Sequence, residues 1–206
     1  MHQPSLSTLS LPGSPRGIVL FLHGGADRGT SPVGDRSLSW RRSRWMMHEI
    51  APRLHDAGLE PWLLRYGVKG WNQHLMSPVA DARWALDELR RERGSLPVVL
   101  LGHSMGGRTA VRVADDPGVV GVVALAPWLP KGEPVETLTG KHLAAAHGPG
   151  DRITRFKDTR YYVERAQPFA ASTSLTPMEG LGHYMLKGRE CWNSFAGDKS
   201  VGLLVA

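Results

Sequence analysis

Ser104, Asp151 and His183 are the side chains whose types and order could do chemistry together. Ser104 lies in Gly102-His103-Ser104-Met105-Gly106, directly after the apolar run Val98 to Leu101 and directly before a helix-compatible segment. In a strand–turn–helix setting, Gly-x-Ser-x-Gly is the pattern of a nucleophile elbow. The turn is so tight that side chains two residues either side of the serine would collide with it, and Gly102 and Gly106 occupy those positions. A hydroxyl is a poor nucleophile until a base takes its proton. The usual base is a histidine held in one tautomer by a carboxylate. Around such an elbow the acid and then the histidine follow the serine along the chain. The apolar run Leu143 to Ala146 and the turn Gly148-Pro149-Gly150 deliver Asp151. The run Ser174 to Met178 and the loop Gly180-Leu181-Gly182 deliver His183. The expected chemistry is acyl transfer through a covalent serine ester.

Such a reaction needs N–H donors for the oxyanion, each worth about 3–4 kcal/mol when removed. The expected donors are the backbone N–H of Met105, next to the nucleophile, and of Gly25, in the loop His23-Gly24-Gly25-Ala26, with Ala26 as the alternative. Plainer readings stand beside these. Ser104 could be an ordinary turn serine. Asp151 could cap a helix or pair with Arg152. Asp115 and Asp116 are competing acids, but they follow the helix after the elbow and so fall at the far end of the sheet. His147 competes with His183 as base and reads better as a structural residue at a strand end. His23 reads as a local shaper of the oxyanion loop, and His103 fills the variable position of the elbow. No set of His, Cys, Asp and Glu has metal-ligand spacing; His142 and His147 are five apart without a partner motif.

The elements that must position these groups alternate along the chain. Leu6 to Leu11 alternates apolar and polar, Pro12-Gly13-Ser14-Pro15 makes a turn, and Gly17 to His23 is a buried-strand run, together predicting a hairpin that feeds a sheet. A helix is expected over Arg44 to Gly58 and a strand over Pro61 to Tyr66. Ser77 is expected to cap the next helix, with Pro78 at its first position and Gly94 as its stop. Further strands are expected at Pro97 to Leu101, Val119 to Ala126, Leu143 to Ala146 and Thr173 to Met178. Helices are expected at about Gly106 to Ala114, over 154–167 and from about Arg189 onward. Continuous apolar strands alternating with helices imply a mostly parallel sheet covered on both faces, an α/β architecture of three layers. Its active groups should gather at the carboxyl ends of the strands. No repeat or linker divides residues 1–206, so one domain is expected.

Four segments together resemble the α/β-hydrolase superfamily: His23-Gly24-Gly25, Gly102-His103-Ser104-Met105-Gly106-Gly107, Gly148-Pro149-Gly150-Asp151 and Gly180-Leu181-Gly182-His183. The likeness is greatest to small carboxylesterase-like and dienelactone-hydrolase-like members. It implies a central sheet, here of about seven strands, and a serine hydrolase that acts on small carboxylic esters without a cofactor. The segment from Pro127 to about Lys141 is too short for a helical cap, which implies an open site. Ala26, Trp71, Trp128 and Tyr184 fall on the active-site edge and could line a substrate pocket, or, for the tryptophans, simply cover the core. A thioesterase, peptidase, lactonase or perhydrolase would use the same three groups. A non-catalytic binding protein of this fold would not need them.

Composition narrows the classes further. The net charge of +6 comes mostly from arginine, spread along the chain; the one dense cluster is Arg36, Arg41, Arg42 and Arg44, interleaved with Trp40 and Trp45. No nucleic-acid motif accompanies it, so it reads as solvated surface or an anion-binding rim, and no nucleic-acid partner is expected. No segment approaches the about 20 apolar residues that would span a membrane. The N-terminus lacks a signal-peptide pattern, which makes the cytoplasm the expected location. Cys191, the one cysteine, leaves no internal disulfide and reads as a buried small apolar residue.

Overall fold

A computed structural model describes residues 3–204; Met1 and His2, part of the N-terminal reading above, and Val205 and Ala206, at the end of the expected C-terminal helix, lie outside that range. Seven strands form one sheet: β1 (Ser5–Thr8), β2 (Gly17–Leu22), β3 (Leu59–Arg65), β4 (Val98–His103), β5 (Val119–Leu125), β6 (His142–His147) and β7 (Ser172–Pro177). Their order is β1-β3-β2-β4-β5-β6-β7, parallel throughout except for β1. Five helices cover it: α1 (Leu38–Asp56), α2 (Ser77–Arg93), α3 (Met105–Arg112), α4 (Phe156–Ala166) and α5 (Arg189–Leu204). α1 packs on β3 and on α5, while α2 and α3 pack on each other and α3 on β2, β4 and β5. α4 lies over β6 and β7 and reaches the α3 side, where Tyr162 donates to the Pro134 carbonyl and Arg165 to that of Glu133.

The central strands owe their position to being apolar on both faces. Every residue of β2 and β4 is buried, and covering one such Leu, Ile or Val side chain contributes about 1.5–3 kcal/mol. The edges read differently. β7 is largely polar and nowhere fully buried, and β1 alternates exposed and half-buried residues.

β1 corrects one expectation. It makes no hairpin with β2 but pairs antiparallel with β3, Ser5 opposite Arg65 and Thr8 opposite Trp62. Both edges of β2 are already taken by β3 and β4, and an alternating strand suits the one-sided burial of a sheet edge. α1 also begins earlier than expected, at Leu38, and its added first turns bury Trp40, Arg42 and Ser43. At α2 the N-cap is Met76; Ser77 is the first helical residue, and its hydroxyl accepts from Asn72 Nδ2 at 3.2 Å instead of capping the helix. Cys191 is exposed, not buried, because α5 turns Trp192, Phe195 and Ala196 to the core and leaves Cys191 outside.

Candidate active site

β4 ends at His103 and α3 starts at Met105, so Ser104 alone makes the turn. Its φ of 55° is left-handed, a conformation that costs a non-glycine residue on the order of 1–3 kcal/mol. The turn is held by close backbone approach. A methyl group on Gly106 would run into the Leu22 carbonyl, and one on Gly102 into the carbonyl of Gly106. Trp128 N–H donates to the Ser104 carbonyl at 3.0 Å and ties the end of β5 to the elbow.

The loops after β6 and β7 bring the other two groups to this point. Ser104 Oγ lies 3.0 Å from His183 Nε2, and His183 Nδ1 lies 2.8 Å from Asp151 Oδ2. Ser104 is 8% and His183 6% exposed, so the contacts are shielded yet reachable. With Nδ1–H donating to the carboxylate, Nε2 is left to accept the serine proton, the arrangement a general base requires.

Asp151 is both orienting group and turn former. Its Oδ1 accepts the N–H of Ile153 at 2.8 Å and of Thr154 at 3.1 Å, while Oδ2 faces both His183 and His147 Nε2, the latter at 3.2 Å. Asp151 thus closes a turn ahead of α4 and does not cap it, since the N-cap of α4 is Arg155 with no side-chain cap, and Arg152 takes no part among the described contacts. Burial alone would raise the Asp151 pKa, but hydrogen bonds from His147, His183 and the Ile153 N–H outweigh it and hold the group well below the usual carboxylate range. His147 is fully buried and its Nδ1 lies 2.8 Å from Thr159 Oγ1, so it braces the acid from α4. Thr154 Oγ1 sits among Asp151, His147 and His183 at 3.1–3.3 Å. Neither contact is visible from spacing alone, although His147 stands only four residues before Asp151.

The loop from His23 to Ala26 is shaped by His23. Its Nδ1–H donates to the Gly24 carbonyl at 2.6 Å, and its Nε2 accepts from the Tyr66 N–H at 3.3 Å. The Ala26 N–H donates to the Lys69 carbonyl at 2.9 Å, which removes Ala26 as an oxyanion donor. The N–H groups of Gly25 and Met105 have no protein acceptor among the described residues.

The pocket residues fall less simply. Tyr184 is exposed and stands edge-on to His183, with ring centres 5.5 Å apart. Trp71 and Trp128 meet edge to face, ring centres 6.1 Å apart, and the guanidinium of Arg108 lies against both, 3.9 Å from one ring centre and 4.4 Å from the other. Between β5 and β6 the only helical piece is the short turn Glu136–Leu138, so no helical cap covers Ser104. Cavities of about 280 and 310 Å³ lie elsewhere, one at Leu86, Leu89, Pro97 and Asp116 and one at Arg41, Arg44, Trp45 and His48. The arginine cluster is not uniform surface: Arg42 is buried and donates to the Met185 carbonyl at 3.1 Å, anchoring the loop that carries His183.

The sequence profile of the alpha/beta hydrolase family matches residues 19–198, nearly the whole sheet and every residue of the site. The chain belongs to the alpha/beta hydrolase family. No curated protein sequence matches significantly. Among solved structures, this alpha/beta hydrolase is similar to Est1E from Butyrivibrio proteoclasticus with ferulic acid bound (TM-score 0.73, 11% identity, 98% of this chain and 96% of that one). It is similar also to Thermogutta terrifontis esterase 2 phosphoramylated by tabun (0.75, 18%, 98% and 89%). A third is the monoacylglycerol lipase of Paleococcus ferrophilus (0.68, 15%, 98% and 99%). At these identities the shared property is the fold.

Two histidines of this hydrolase make its stability depend on pH. Burial lowers the pKa of His23 to about 4 and that of His103 to about 3, the latter helped by the nearby charges of His183 and Arg42. Both are neutral in the fold and protonate near pH 6.5 once unfolded. The unfolded chain therefore binds more protons below that pH, and stability falls as pH drops from about 6.5 toward 4, by up to about 1.4 kcal/mol per histidine per unit. Asp151 adds its own loss only below the ordinary carboxylate range. Thermal unfolding followed from pH 7.5 to 4.5 should show the fall, and His103→Gln should flatten it; an unchanged slope in the variant would remove His103 as a source.

Proposed function

We infer that this alpha/beta hydrolase is a serine esterase that cleaves small carboxylic esters. The observation that carries the reading is the unbroken contact from Ser104 Oγ to His183 Nε2 and from His183 Nδ1 to Asp151 Oδ2, at 3.0 and 2.8 Å. Ser104 attacks the acyl carbonyl while His183 takes its proton. Asp151 holds the imidazole in the accepting tautomer and stabilises the imidazolium. The N–H groups of Met105 and Gly25 hold the oxyanion. His183 then returns the proton to the leaving alcohol, and the acyl group stays on Ser104. Water, deprotonated by His183, attacks that ester, and collapse of the second tetrahedral species releases the acid and restores the serine.

Support for an ester substrate comes from the structural neighbours. The Thermogutta enzyme is an esterase, also solved with propionate and with butyrate bound. No lid covers Ser104, which suits small soluble esters.

The test is intact-mass detection of a fluorophosphonate adduct on the native chain and on Ser104→Ala. One adduct on the native chain and none on the variant is the expected result. No adduct on a folded native chain would remove the esterase reading and favour a ligand-binding protein of the same fold.

A further inference from the structure

Arg108 is an arginine in an uncommon place. It lies one turn below Ser104 on α3, and its guanidinium sits in the corner made by Trp71 and Trp128, whose rings meet edge to face at 76°. Backbone bonds tie both tryptophans to the site: the Trp71 main-chain N–H donates to the Ala26 carbonyl, and the Trp128 main-chain N–H donates to the Ser104 carbonyl. The side chain is 13% exposed, and burial lowers its pKa against the pull of Glu133.

Two facts limit what this group can bind. Its two indole neighbours take no hydrogen bond from it, so what the group can still bind depends on its remaining N–H donors. The edge formed by Nε and Nη2 is spent on Glu133 Oε1. Nη1, at the other end of the fork, has no hydrogen-bond partner among the described residues. Charge is also unbalanced. Glu133 is buried and serves two guanidinium groups, Arg108 and, through Oε2, Arg112 at 2.5 Å. Arg165 adds a third at its backbone carbonyl. Asp27, whose charge Arg108 also feels, is exposed and lies 3.9 Å from Arg28. A planar, partly desolvated cation with one unspent edge and an excess of positive charge around it fits a carboxylate.

We propose that Arg108 binds a carboxylate on the substrate, so that the preferred esters are acidic ones, half-esters of dicarboxylic acids or esters of acidic alcohols. This rests on the esterase reading above. It also gives the two tryptophans a role: they cover two sides of the guanidinium and keep water from them, which strengthens a charge-assisted hydrogen bond.

The experiment compares kcat/KM within two pairs of esters, after subtraction of spontaneous hydrolysis. One pair is the nitrophenyl monoester of glutaric acid against nitrophenyl pentanoate; the other is carboxymethylphenyl butyrate against ethylphenyl butyrate. Fluorophosphonate labelling of Ser104 comes first, because a chain that fails to label has lost the esterase reading as well. In a labelled chain the acidic member of at least one pair should be favoured about tenfold or more, as a hydrogen-bonded ion pair allows. The pair that responds tells whether the carboxylate sits on the acyl or the alcohol part. Arg108→Gln should bring the ratio close to one, and Arg108→Lys should fall between. A preference for the neutral ester in both pairs, or a ratio untouched by Arg108→Gln, would overturn the proposal with the esterase intact. If Arg108→Gln does not fold, competition on the native enzyme decides: glutarate should inhibit competitively and pentanoamide should not, and equal inhibition by both would overturn it.

Discussion

Replacing His183 with alanine is expected to lower kcat/KM on a small nitrophenyl ester by on the order of 10⁵-fold. The size follows from the contacts. Ser104 Oγ has His183 as its only side-chain partner among the described residues, at 3.0 Å, so without the imidazole nothing takes its proton during attack or returns it to the leaving group. Ser104→Ala should cost about as much, and the double variant little more than either single one, since residues that act as a unit lose their effect together. The KM of each variant should stay within a few-fold of the native value, because neither group is needed to bind the ground-state ester. Steady-state kinetics on the four proteins tests the whole pattern. Additive losses, or a His183→Ala enzyme within about tenfold of native, would mean that another base serves Ser104.

Asp151→Asn is expected to cost about 10⁴-fold in kcat while leaving the fold largely intact. Five donors converge on this carboxylate: two backbone N–H groups on Oδ1, and two histidines and the Thr154 hydroxyl on Oδ2. An amide offers only one acceptor oxygen. If its oxygen stays with the backbone, its NH₂ group confronts His183 Nδ1, and the imidazole must carry its proton on Nε2, where it can no longer accept from Ser104. If the amide turns over, the loop from Ile153 to Thr154 loses its anchor. His147→Gln removes only one of the five donors and should cost kcat about tenfold, through a less well-held Asp151. Comparable losses in Asp151→Asn and His147→Gln would place His147 in the reaction itself. The pH dependence of kcat/KM would then shift in both variants.

The elements most legible in the sequence are those whose signal is local. Val98 to Met105 could be read as strand, turn and helix because an apolar run, two glycines and a serine fall within a few residues. The parallel strands are legible as continuous apolar runs for the same reason. The partner of β1 is not, since an alternating strand after a turn fits a hairpin equally well, and only the occupied edges of β2 exclude it. Asp151 and His183 are legible by order, each being the first acid or histidine past a strand and a glycine-rich turn; that they meet at 2.8 Å is a three-dimensional fact. Arg42 and Arg108 defeat a reading by composition. Arginine usually means surface, and both are drawn inward by partners far along the chain, the Met185 carbonyl for Arg42 and Glu133, Trp71 and Trp128 for Arg108.

The partners of the site are also far apart along the chain. Ser104 and His183 are separated by 79 residues, and His183 and Asp151 by 32. No fragment ending before β7 contains the base, and no fragment beginning at α3 or later contains the nucleophile. The site therefore assembles only when the last long-range pairings of the sheet are made, the step that slows folding of such topologies. The same covalent probe, applied during refolding, would count completed molecules one by one: each adduct marks a chain in which β4, β6 and β7 have all found their places.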